Sequence, residues 1–203
     1  MFAIASLLLL GYWLLFPTLA SAFLPKAKRL GREGTAALIG VVSWIVLSHW
    51  WPLPLYDRGN FSPVLLSLLC LSALAYLGLF ALGLERRPAG FRKMGFRDDF
   101  WSLGVLSPLD EELLFRGLLF RVALSAHWGT VFAVIFPAVL FALAHELPRL
   151  GGLKRSLRES ISDLAFGLLT GTSLAVLGTI LVPIALHVGV NSVYAYGRER
   201  AEP

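Results

Sequence analysis

Charge is scarce in this chain: Asp, Glu, Lys and Arg make up only 15% of its 203 residues, 57% are hydrophobic, and the mean hydropathy is +0.72. A soluble domain of this size would lack the polar side chains to cover its surface, so the composition points to an integral membrane protein. Cysteine is almost missing. The one present, Cys70, lies in an apolar run, which excludes an internal disulfide, a zinc-thiolate cluster and a CxxC redox motif. Its plain reading is a small core or lipid-facing residue. Strand-like alternation, internal repeats and low-complexity tracts are lacking too, which argues against a transmembrane barrel and a repeat protein.

What remains is a series of leucine-rich runs, each of about 20 residues, the length a helix needs to cross about 30 Å of hydrocarbon. The fold class expected is all-α, a polytopic transmembrane bundle of about seven spans: 2–24, 35–51, 63–84, 100–125, 131–147, 161–181 and 182–196. No polar loop separates the last two, so a tight turn must fall near Gly178 to Pro183. Residues 1–99 form N-terminal transmembrane helices in this reading, and residues 100–203 the catalytic core.

The net charge of +5 would suit a nucleic-acid partner, but its placement does not. Lys and Arg gather in four groups: four within 26–32, five within 86–97, four within 149–158 and two within 198–200. By the positive-inside bias all four groups lie on the cytoplasmic side, with the carboxyl terminus inside and the amino terminus outside. Bacterial inner membrane is the expected location. The first run ends in Ala20-Ser21-Ala22, which has the look of a signal cleavage site, but no Lys or Arg precedes the run. A retained first helix is therefore preferred. His49 beside Trp50 and Trp51, His127 beside Trp128, and Trp101 read as interfacial residues, and Glu146 as a solvated span end.

One span carries charge where none is expected: Asp110-Glu111-Glu112-Leu113-Leu114-Phe115-Arg116. Each charge at mid-bilayer depth costs about 2.5 to 3.5 kcal/mol, so such a cluster is a functional-site hypothesis. On an α-helix Glu112 and Arg116 share a face and form an ion pair, whereas Glu111 is turned by about 100° and left for proton transfer. His145 brings a neutral imidazole, and Phe141 one turn earlier walls the same face. His187 and Asn191, again four apart, form a patch able to hold a ligand or an oxyanion.

Each element alone is explained equally well as helix-helix glue. All three together, with two glutamates against one arginine, make a structural account insufficient. A proton-coupled transporter would also place Asp, Glu and His in the membrane, but no repeated half or matched pair of broken helices is present. A non-catalytic immunity or scaffold protein is the other alternative. On straight helices Glu111, His145 and His187 fall at three depths, so the shared site needs a displaced boundary or a kink, for which Pro137 and Pro183 are candidates.

The ordered set Glu111-Glu112-x-x-x-Arg116, Phe141-x-x-x-His145 and His187-x-x-x-Asn191 resembles the three motifs of the CPBP family, the CAAX-type prenyl proteases and bacteriocin-processing enzymes also known as Abi proteins. The likeness covers roughly 100–196. It implies a glutamic-type intramembrane endopeptidase in which Glu111 and His145 activate water and His187 with Asn191 stabilises the oxyanion. Glu112, Arg116 and Phe141 support the site, and no cofactor is needed. Its partners are the bilayer and a membrane-associated protein substrate cut near its carboxyl-terminal tail, with processing of bacterial sorting tails as a subsidiary reading. Glu111 and the two histidines could also supply three zinc ligands with an open fourth position, and a metallopeptidase is the minority reading.

Overall fold

The computed structural model describes residues 61–81, 100–150 and 157–199, and every element within them is helical. The expected spans 2–24 and 35–51, and the junction at 99/100, lie outside or at the edge of the described residues. Helix α1, Pro63–Ala81, starts with proline, whose missing N–H is no loss in a first turn. Ser62 Oγ accepts the Leu65 N–H at 3.3 Å, capping that end.

The next rod, α2, spans residues 100–125 and matches the expected span. Its winding does not match an ordinary α-helix. A π-helical stretch, Phe100–Leu106, leads into an α-helical segment, Ser107–Glu112, then a second π-helical stretch, Leu113–Leu119, and a closing turn, Phe120–Ser125. The Phe120 N–H bonds the Phe115 carbonyl, five residues back. Such widened turns collect at functional sites. From Glu111 to Phe120 every residue is buried, so this stretch of the rod is enclosed on all sides.

The chain leaves α2 through a tight turn in which His127 (φ 59°) and Gly129 (φ 80°) take left-handed conformations. Helix α3, Thr130–Leu150, then runs through Pro137 without interruption. Helix α4, Leu157–Leu177, ends at Gly178 (φ 69°), whose N–H bonds the Leu174 carbonyl. Helix α5, Leu181–Glu199, begins at once, with Thr179 Oγ1 accepting the Leu181 N–H. The tight turn near Gly178 is therefore present. Pro183 lies in the first turn of α5, where it needs no kink.

Helix α4 is the hub, packing against α1, α3 and α5. The first half of α2 lies on α5 and its second half on α3. Close approach of α3 and α4 depends on glycine: a Cβ on Gly167 would sit 3.1 Å from the Cα and Cβ of Ala138. Polar side chains on α4 are satisfied locally, with Thr170, Thr172 and Ser173 donating to carbonyls three or four residues back.

By length and apolarity one described helix qualifies to cross a membrane, residues Glu159–Leu177; Pro63–Leu79, Thr130–His145 and Leu181–Val193 are shorter apolar stretches. The bundle surface is nonetheless oily. Leu71, Leu74 and Leu77 on α1 and Phe132, Ile135, Val139 and Leu143 on α3 are exposed, as is Cys70.

Candidate active site

The centre of the bundle buries three charged groups, Glu111, Glu112 and Arg116, the last two at 0% and 1% exposure. Charges this deep require partners. The Glu112 carboxylate has two: Oε1 lies 3.3 Å from Arg116 Nη1 and accepts a 2.8 Å hydrogen bond from His187 Nδ1. The expected Glu112–Arg116 pairing is thus present, though as a coulombic contact with no directed hydrogen bond at Nη1. Arg116 is anchored by its other end. Its Nη2 donates to the Gly167 carbonyl at 3.1 Å, and the guanidinium stands 4.7 Å over the Phe141 ring, a cation-π distance. Because Gly167 lies at the close α3–α4 approach, one arginine ties α2 to the tightest packing in the bundle.

Glu111 faces elsewhere. Its Oε1 accepts a 2.7 Å hydrogen bond from Ser107 Oγ, one turn earlier on α2. Its Oε2 accepts none among the described residues, and sits 3.7 Å from His145 Nε2 and 3.8 Å from His187 Nε2. One carboxylate oxygen is therefore nearly equidistant from two imidazole nitrogens on two other helices. The depth conflict posed by straight spans does not arise in the folded chain: α3 continues past His145 to Leu150, and α2 is not wound as a plain α-helix.

The outer nitrogens fix both rings. His145 Nδ1 is 2.9 Å from the Phe141 carbonyl, which can only accept, so Nδ1 is assigned the hydrogen and Nε2 is left with its lone pair in the neutral ring. The same logic applies to His187, whose Nδ1 donates to Glu112. Holding the far nitrogen is how proteins orient a working imidazole.

Phe141 stands at the middle of an aromatic wall. Its centroid is 4.4 Å from His145, 5.9 Å from His187 and 5.3 Å from Phe115. Phe166 on α4, which the sequence spacing does not single out, packs 4.8 Å from His187 and 5.1 Å from Tyr76. Exposure falls across the group: the side chain of His145 is 29% exposed, Glu111 11% and His187 6%. Of the three, His145 is the most open to the outside. Asn191 is placed by helical register, one turn beyond His187 on α5 and half-buried. Asp110 is half-buried beside the group, while His127 is exposed in the turn after α2.

As metal ligands, Glu111 Oε2 and the two Nε2 atoms are the right types, with their far nitrogens already held. Ligands about 2.0 to 2.1 Å from a tetrahedral zinc stand roughly 3.4 Å apart, so this set would have to contract slightly. Its geometry equally suits a water molecule touching all three.

Residues 98–193 match the family described as type II CAAX prenyl endopeptidase, Rce1-like. Neither the curated proteins nor the solved structures compared yield a match. The matched segment, a little under half of the chain, contains Glu111, Glu112, Arg116, Phe141, His145, His187 and Asn191, and through it the chain is similar to the CAAX protease (CPBP) family of peptidases.

Proposed function

We propose that this protein is a glutamic-type intramembrane endopeptidase that cuts a membrane-associated substrate near its carboxyl-terminal tail. The observation that carries the reading is the convergence of His145 Nε2 and His187 Nε2 on Glu111 Oε2, at 3.7 and 3.8 Å. With both Nδ1 atoms donating outward, the three inner atoms are acceptors, and a water molecule is the natural donor between them. Glu111 takes a proton from that water while the His145 lone pair orients it, and the water oxygen adds to the scissile carbonyl.

The negative charge then forms on the former carbonyl oxygen. His187 and the Asn191 amide are its proposed donors. Since His187 Nδ1–H is committed to Glu112, Nε2 becomes a donor when the proton that Glu111 took from water passes to it across their 3.8 Å separation, and the Glu112 carboxylate balances the imidazolium so formed. That proton finally returns through Glu111 to the leaving amine as the C–N bond breaks.

The exposed apolar side chains on α1 and α3 support a bilayer setting. Seven spans, with residues 1–99 as N-terminal helices, a cytoplasmic carboxyl terminus and a bacterial inner membrane, complete the proposal. The proposed substrate class takes its lead from the matched family's description, a prenylated CAAX tail. An unprenylated sorting tail is the subsidiary choice.

The test uses purified protein in detergent and two fluorogenic peptides, a farnesylated tail and its unprenylated counterpart. Cleavage of either should vanish in Glu111→Gln and His145→Ala while the melting temperature holds. Undiminished cleavage by both variants overturns the assignment.

A further inference from the structure

We infer that Ser107 is a positioning residue for the proposed water-activating carboxylate, fixing which oxygen of Glu111 faces the two histidines. The inference rests on the peptidase reading above and names a residue outside the three motifs.

A glutamate side chain has three rotatable bonds, and its carboxylate rotates broadly about the last of them. Nothing in the Glu111–His145–His187 triangle restrains that rotation, because both nitrogens stand beyond hydrogen-bond distance of Oε2. The restraint comes from the opposite side. Ser107 Oγ donates to Oε1 at 2.7 Å, a well-formed hydroxyl–oxygen bond. With Oε1 held there, Oε2 is aimed into the space between the imidazoles.

The position of Ser107 favours this task over a local one. A helical serine commonly bonds a carbonyl three or four residues back, as Thr170, Thr172 and Ser173 do on α4. Ser107 instead reaches forward to a side chain four residues on, at the point where the first π-helical stretch gives way to Ser107–Glu112. Ser125, on the same rod, bonds its own i−4 carbonyl at 2.8 Å. Each catalytic side chain is then held from behind by a different device: Ser107 for Glu111, the Phe141 carbonyl for His145 and Glu112 for His187.

The experiment compares wild type with Ser107→Ala, Ser107→Thr and Ser107→Cys, using the farnesylated fluorogenic peptide and recording kcat, KM and melting temperature, with Glu111→Gln as a control. The alanine variant should lose roughly 10-fold or more in kcat, since small misplacements of a reacting group are costly, with KM within about twofold. Threonine, which keeps the hydroxyl, should restore kcat to within about threefold of wild type, and cysteine, a weaker donor, should fall between. If the alanine variant fails to fold, the threonine-to-cysteine ratio carries the same information. Equal kcat across the series, or threonine as slow as alanine, overturns the positioning role while Glu111→Gln remains inactive. A fully active Glu111→Gln overturns the peptidase reading, and this role with it.

Discussion

The Nδ1–H of His187 donates to Glu112 Oε1 at 2.8 Å, joining α5 to α2 across 75 residues of chain. Glu112 is thereby the keeper of His187 as well as the counter-ion of Arg116, and the two tasks fall on the same oxygen.

Glu112→Gln should therefore impair cleavage although Glu112 never touches the substrate. The amide oxygen can still accept from Nδ1, but the negative charge that would balance an imidazolium formed during the reaction is gone. The expected loss is roughly 100-fold in kcat with KM little changed, measured on the farnesylated peptide. A variant within twofold of wild type would show that the charge is dispensable.

Arg116 is predicted to matter first for stability. Arg116→Met leaves the fully buried Glu112 without its cation and frees α2 from the Gly167 carbonyl. Breaking a buried pair by removing one partner costs about 3 to 5 kcal/mol. Arg116→Lys keeps the charge but cannot fork to both partners, so it should unfold at an intermediate denaturant concentration.

Two glycines on α4 should respond unequally to a methyl group. At Gly167 the added Cβ meets Ala138 backbone at 3.1 Å, whereas at Gly171 the nearest atom is Val134 Cγ1 at 3.3 Å, a side chain with some room to turn. Gly167→Ala should cost about 1 to 3 kcal/mol by overpacking. Gly171→Ala should cost less in the same unfolding assay; equal costs would mean the α3–α4 contact relaxes along its whole length.

Prolonged dialysis against a strong zinc chelator is predicted to leave cleavage within about twofold of untreated enzyme. Loss of activity that zinc restores would convert Glu111, His145 and His187 from water-holding groups to metal ligands. The same outcome would require the 3.7 and 3.8 Å spacings to contract on binding.

Much of this site was legible in the sequence because charge is so costly in an apolar run. Glu111, Glu112 and Arg116 stand out against their neighbours for that reason, and the four-residue spacing of Glu112 and Arg116 foretold their contact. The Gly178 turn was legible from glycine and the following proline. The link from Glu112 to His187 was not, since spacing along one helix says nothing about which rotamer meets another helix. Phe166 and Ser107 were hidden for a related reason: a phenylalanine and a serine on helices are ordinary residues until a partner is seen. The apparent scatter of the three groups in depth came from treating each span as a straight α-helix centred in the bilayer. Continuation of α3 past His145 and the mixed winding of α2 are properties of packing, which periodicity does not encode.

The widened coil at Leu113–Leu119 makes the motif sensitive to chain length as well as to side-chain identity. A π-helical turn holds one residue more than the α-helical turn it replaces, so excising a single residue there would let the backbone relax to ordinary α-helical pairing with the helix beyond largely in its present facing. A cut between Glu112 and Arg116 would also shorten their spacing from four residues to three, so the arginine anchor would approach the same carboxylate from a different angle.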